Sequence, residues 1–185
     1  YLNEEYKTFT YLKQQKEKGR IRYLGFSAHG SYDVMERFLK KYGAEMEFCQ
    51  IQLNYLDWDF QDAKKKVELL ESYHIPVWVM EPLRGGRLAV LSADDTEKLK
   101  RMRSDESVPA WAFRFLQTIP NVVVTLSGMS DMEQLKDNIA CMENFQPLSA
   151  AELDLLQQVV DIINSKIAIP CTGCAYCINN CPMEI

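Results

Sequence analysis

Apolar and polar positions along this chain fall into two alternating rhythms, one with an apolar residue every three or four positions and one that alternates or stays apolar for a few residues. The pattern predicts a charged helix running to about Lys18 and stopped by Gly19, a strand over Arg20–Ser27, and a helix from about Asp33 to Lys41. It continues with a strand over Phe48–Asn54, a long helix over Gln61–Tyr73 and a strand over Pro76–Glu81. After a loop, Pro82–Leu88, come two helical stretches, the second of which, Val108–Gln117, carries Trp111, Phe113 and Phe115. A fourth strand, Val122–Leu126, is continuously apolar between Asn121 and Gly128, as expected of a strand buried on both faces. A helix over Met132–Met142 follows. The last helix opens with Ser149 and Glu152 at capping-box spacing and carries the apolar stripe Leu153, Leu156, Val160 and Ile163.

Strands and helices in strict alternation predict an α/β fold with a parallel sheet. Four such units fit either an open doubly wound sheet or half of a closed barrel, and periodicity does not choose between them. The strand beginning at Phe48 adds information. Gln50, Gln52 and Asn54 share one face and Cys49, Ile51, Leu53 and Tyr55 the other. A face packed on helices is apolar, so the polar face lines a barrel lumen or, on an edge strand, meets water.

A chain of 185 residues builds one main domain with room for a small appendage. The natural division is a main domain over 1–166 and a cysteine segment over 167–185. The net charge of −5 is spread along the sequence, which argues against a nucleic-acid surface, and Lys64, Lys65 and Lys66 read as a solvated helix face. No apolar run approaches the roughly twenty residues of a membrane helix. The sequence opens on Tyr1 in what reads as the middle of a helix, so the expectation is a chain that starts inside a longer protein.

Four of the six cysteines lie between Cys171 and Cys181, too close for a disulfide framework, which points to a reducing, cytoplasmic compartment. Cys171, Cys174, Cys177 and Cys181, followed by Pro182, match the C-x2-C-x2-C-x3-C-P run of bacterial-type ferredoxins and predict a 4Fe-4S cluster. Two intervening residues present successive thiolates to neighbouring irons, and Gly173 and Ala175 leave backbone N–H groups free for the sulfides. The competing readings are a zinc site, which more often uses two separated C-x2-C pairs, and unliganded thiols. The fourth ligand stays open, because in two-cluster ferredoxins the cysteine before proline serves the other cluster.

Four further segments together resemble the second half of the aldo/keto reductase family, in the group with a C-terminal ferredoxin-like module. They are Gly19–Ser27, Gln50–Asn54, Glu81–Leu88 and Ser127–Asn138. The resemblance implies a (β/α)8 TIM barrel, of which this chain supplies strands five to eight, followed by the start of the 4Fe-4S module. It also implies NAD(P)H as cofactor, with the nicotinamide near Ser27 and Gln50, the pyrophosphate at Pro82, Leu83, Gly85 and Gly86, and the adenosine phosphate at Ser130, Gln134 and Asn138. Three positions depart from the family: Ala28 stands where an asparagine helps hold the carboxamide, Met80 where many members stack an aromatic on the ring, and Gln134 where an arginine often contacts the ribose phosphate. NAD and NADP therefore both remain open.

The family's tyrosine, lysine, aspartate and histidine lie on earlier strands, so no catalytic residue is assigned here. His74 falls at the opposite end of its strand, and His29 is at the correct end but after a different strand. The resemblance implies an oxidoreductase that exchanges hydride between NAD(P)H and a small carbonyl or alcohol, with a redox partner protein as a further possibility. A hydride carries two electrons and a 4Fe-4S cluster one, so direct coupling needs a flavin or another splitter. The cluster is then structural or passes electrons to a partner. The alternatives are an electron-transfer or docking module whose barrel does not catalyse, and a zinc-stabilised binding protein. Half a barrel alone is expected not to turn over NAD(P)H and to associate through its unpaired edges.

Overall fold

The computed structural model describes residues 4–60 and 62–166. Four parallel strands, β1 (Gly25–Ala28), β2 (Phe48–Gln52), β3 (Val77–Met80) and β4 (Val122–Thr125), pair in sequence order into one sheet. Each is followed by helical chain. A short 3-10 turn, Glu4–Tyr6, and helix α1 (Thr8–Glu17) precede β1, and α2 (Tyr32–Tyr42) joins β1 to β2. The β2–β3 connection holds α3 (Asp57–Phe60) and α4 (Ala63–Ser72). Helices α5 (Ala93–Met102) and α6 (Val108–Gln117) lie between β3 and β4, and α7 (Met132–Glu143) and α8 (Ala150–Ser165) follow β4. The alternation of strand and helix thus produces the parallel α/β fold that the sequence predicts.

One sheet face packs against the helices. Cys49, Ile51, Leu53, Val77 and Val79 on that face are all 1% exposed or less, and they join Met35, Leu39, Val67, Leu70, Trp111 and Val159 in a single core. Removing such side chains from water contributes roughly 1.5–3 kcal/mol each. The opposite face is half-buried and mixed. Gln50 and Gln52 stand on it as expected, but Phe48 and Trp78 stack there with ring centroids 4.2 Å apart. Gly25 is required beneath them, because a Cβ at that position would meet the Phe48 ring at 2.6 Å.

Four expectations change. Lys66, expected with Lys64 and Lys65 on a solvated helix face, is buried at 8% exposed while its two neighbours are exposed. The strand expected over Arg20–Ser27 is only Gly25–Ala28, because Glu47 draws the approach inward: its Oε2 accepts from Leu24 N at 2.8 Å and pairs with Lys16. The helix expected over Gln61–Tyr73 is preceded by a separate turn of helix at Asp57–Phe60, with Asp62 in the left-handed region at φ 51° between them. The expectation that Val122–Leu126 is buried on both faces is wrong. Among the described residues β4 is an edge strand paired only with β3, with an irregular register next to Val77 and Trp78, and Val123 is 58% exposed.

Candidate active site at the strand C-terminal ends

The residues singled out in the sequence for a nicotinamide cofactor lie toward one end of the sheet. Ser27 and Gln50 are register partners on the open face, and Gln50 pairs in turn with Trp78. Ser27 is exposed and Gln50 half-buried. The Gln50 amide donates to the Met80 thioether sulfur at 3.4 Å, a weak acceptor that leaves the amide available for a stronger partner.

Beyond Met80 the chain turns through four left-handed residues: Glu81 at φ 58°, Arg84 at 49°, Gly85 at 64° and Gly86 at 84°. A side chain at Gly86 is disfavoured by its backbone and not by crowding, since a Cβ there would meet nothing within 4 Å. Among the described residues neither Gly85 nor Gly86 donates its N–H to a backbone acceptor. Met80, Pro82, Leu83, Gly85 and Gly86 line one wall of a cleft of about 470 Å³ whose other wall is Leu126, Ser127 and Gly128, after β4.

The β4 wall continues into α7. Ser127 Oγ accepts from Asn138 Nδ2 at 3.2 Å, and Gln134 Oε1 accepts from Ser130 N at 2.9 Å. Asp131 caps the helix, its Oδ1 accepting from Gln134 N at 2.8 Å. Ser130, Gln134 and Asn138 thus flank the cleft without lining it. His29 is exposed just past β1, at the end of the sheet that carries the site, whereas His74, at φ 56°, lies before β3 at the other end. Tyr55 is no proton donor for this site. It is buried against Phe115 with the helices, where burial pushes its pKa up.

Sequence reasoning missed the layer beneath the cleft. Asp57 is fully buried, its Oδ2 accepts from Gln52 Nε2 at 2.7 Å and from Asn54 Nδ2 at 2.8 Å, and its Oδ1 lies 3.3 Å from Arg84 Nη2. That last contact brings the charges together without the alignment of a hydrogen bond. The signal available was Asn54 followed three residues on by Asp57, an Asx-turn spacing. Asn54 Oδ1 accepts from both Leu56 N and Asp57 N. A larger cleft of about 650 Å³ between α5, α6 and α7 is a structural crevice. Its arginines are engaged, Arg103 with Glu152 and Glu106, and Arg114 with Glu106.

Cys171, Cys174, Cys177 and Cys181 lie outside the described residues. Among the described residues no three histidine, cysteine or acidic side chains gather as a metal site. The other two cysteines, Cys49 and Cys141, are free and buried, and burial holds both thiols protonated. No helix among the described residues is long and apolar enough to cross a membrane.

A parallel α/β sheet whose strands pair in sequence order, with a cleft at their C-terminal ends, is consistent with part of a (β/α)8 barrel. The model of the aldo/keto reductase family matches residues 4–161, and the chain belongs to that family. Among solved structures it is similar to an aldo-keto reductase from Bacillus halodurans in its holo form, at 22% identity and a TM-score of 0.63 over 80% of this chain and 53% of that one. It is also similar to an aldo-keto reductase from Klebsiella pneumoniae in complex with NADPH, at 18% identity and a TM-score of 0.66 over 83% of this chain and 53% of that one. A third is an aldose reductase from Giardia lamblia, at 16% identity and a TM-score of 0.61, over 85% of this chain and 50% of that one. The chain spans about half the length of the solved structures it matches. No curated protein matches it.

Proposed function

We propose that the cleft and the adjoining open face bind a nicotinamide cofactor, and that the chain is the cofactor-binding part of an oxidoreductase acting on small carbonyl or alcohol substrates in the cytoplasm. The observation that carries this reading is the placement of Gly85 and Gly86, at positive φ with an open approach, in a cleft that Gln50 reaches through Met80. Consecutive N–H groups in such a conformation form a concave anion cradle suited to a pyrophosphate. Gln50 offers both a donor and an acceptor to a carboxamide, Ser27 lies beside it, and Pro82 and Leu83 close the wall. Ser130, Gln134 and Asn138 face the adenosine end. When bound, NAD(P)H supplies the hydride for carbonyl reduction.

The same reading divides the chain into a barrel part over 1–166 and a ferredoxin-type segment over 167–185. In that segment Cys171, Cys174, Cys177 and Cys181 hold a 4Fe-4S cluster that is structural or exchanges electrons with a protein partner. Cys171, Cys174 and Cys177 are spaced to share one cuboid, and Cys181, before Pro182, completes that cluster or serves a second one.

Titration of the complete protein with NADPH, followed by the cofactor's fluorescence, tests the nicotinamide site. Saturable binding is expected, with Gln50→Ala raising the dissociation constant about tenfold, the loss of roughly one hydrogen bond to a polar ligand group. Binding unaffected by Gln50→Ala would move the nicotinamide elsewhere.

A further inference from the structure

The turn that forms the glycine cradle is held in an unusual way. Arg84, the residue before Gly85, has a left-handed backbone at φ 49°, a conformation that costs a side-chain-bearing residue about 1–2 kcal/mol and persists where the surroundings over-determine it. Its side chain is 3% exposed and points into the protein, while Gly85 and Gly86 beside it are exposed on the cleft wall. The guanidinium is thus directed away from the place where a phosphate would sit.

The inward-pointing guanidinium meets the carboxylate of Asp57, at 3.3 Å, and packs over the Phe60 ring at 5.7 Å from its centroid. The same carboxylate accepts from Gln52 at the end of β2 and from Asn54 beyond it, and Asn54 also donates to the Glu81 carbonyl at 3.0 Å. Glu81 in turn accepts from Arg84 N at 3.1 Å. One buried carboxylate therefore ties the end of β2, the end of β3 and the turn into a single polar knot. Buried ion pairs seldom contribute net stability over apolar replacements of the same shape, so stability is a poor reason for this one. Its geometry offers a better reason, since it fixes where the following two amides point.

Resting on the nicotinamide reading above, we propose that Asp57 and Arg84 are positioning residues, an internal strut that presets the Gly85–Gly86 backbone for a dinucleotide pyrophosphate. Asp57→Asn keeps the size of the side chain, releases Arg84 from its counter-charge and places an amide where two amide donors already converge. The loop then spends part of its time in other conformations, and affinity falls by the fraction lost.

The test uses the complete protein and NADPH as probe. Asp57→Asn is expected to raise the NADPH dissociation constant about tenfold at a temperature where both proteins are folded, and to speed tryptic cleavage after the exposed Arg87, with saturating NADPH restoring protection. Arg84→Met is expected to match it, with the double variant no weaker than either single one, and it repeats the test if Asp57→Asn fails to fold. Binding by Asp57→Asn equal to that of a wild-type protein that does bind would overturn the strut alone. So would a double variant whose losses add, because that marks Asp57 and Arg84 as acting independently and not as one strut. Absence of NADPH binding by the wild-type protein would overturn the nicotinamide reading and the strut with it.

Discussion

Gln134 stands in the first turn of α7 with its side-chain oxygen accepting from Ser130 N, two residues that the proposed cofactor reading assigns to the adenosine phosphate. A neutral amide there gives a cofactor 2′-phosphate no counter-charge, and the neighbouring cap, Asp131, is acidic. Gln134→Arg is therefore expected to lower the dissociation constant for NADPH about tenfold, the low end of a charge-assisted hydrogen bond, and to leave NADH unchanged. Parallel titrations with the two coenzymes check this, and equal gains for both would remove the 2′-phosphate from this corner. Gln50 and the glycine pair were singled out in sequence through their resemblance to the family's segments, and the structure sets them at the same end of the sheet. Asp57 was not. Its role comes from Arg84, which is distant in sequence, and from a left-handed turn that no residue type announces when the residue is an arginine.

Among the elements, α8 was the best specified by sequence, and the capping box expected from Ser149 and Glu152 is present. The structure adds a second use for Glu152. Its carboxylate accepts from Ser149 N at 2.7 Å and from Arg103 Nη2 at 3.1 Å, which ties the start of α8 to the end of α5. The Arg103 guanidinium foremost, aided by the Ser149 amide and hydroxyl, pulls the Glu152 pKa down to about 2. A carboxylate with a depressed folded-state pKa contributes stability above its unfolded pKa near 4.5 and loses it as pH falls toward 2. Glu152→Gln should flatten the pH dependence of stability within that window and cost about 1 kcal/mol at pH 7, allowing for solvent screening. Chemical denaturation at several pH values measures both. A variant with the wild-type slope would show the pair to be idle. Strand β4 shows where element-level reading fails. A continuous apolar run signals burial on two faces, but β4 is paired on one side only, and a property of the whole sheet decides how exposed Val123 is.

For the molecule as a whole, the parallel order of the strands was legible in the alternation of periods, whereas the choice between an open sheet and part of a barrel was not. Both need the same local pattern, and the family match over residues 4–161 supplies what periodicity lacked. The cysteine run beyond the described residues is open to direct measurement. Anaerobically purified complete protein is expected to hold about four irons and four labile sulfides for each cluster, and zinc without sulfide would replace the cluster with a structural metal site. Cys174→Ala should remove the iron bound by this run. Cys181→Ala separates the two remaining possibilities: loss of the same iron places all four cysteines on one cluster, and retention of it assigns Cys181 to another. Measuring NADPH affinity on the cluster-free Cys174→Ala protein completes the argument. Among the described residues the proposed nicotinamide cleft is walled by the chain at and after the end of β3 and after β4. Unchanged affinity is therefore expected, and a large loss would mean that the segment completes the site.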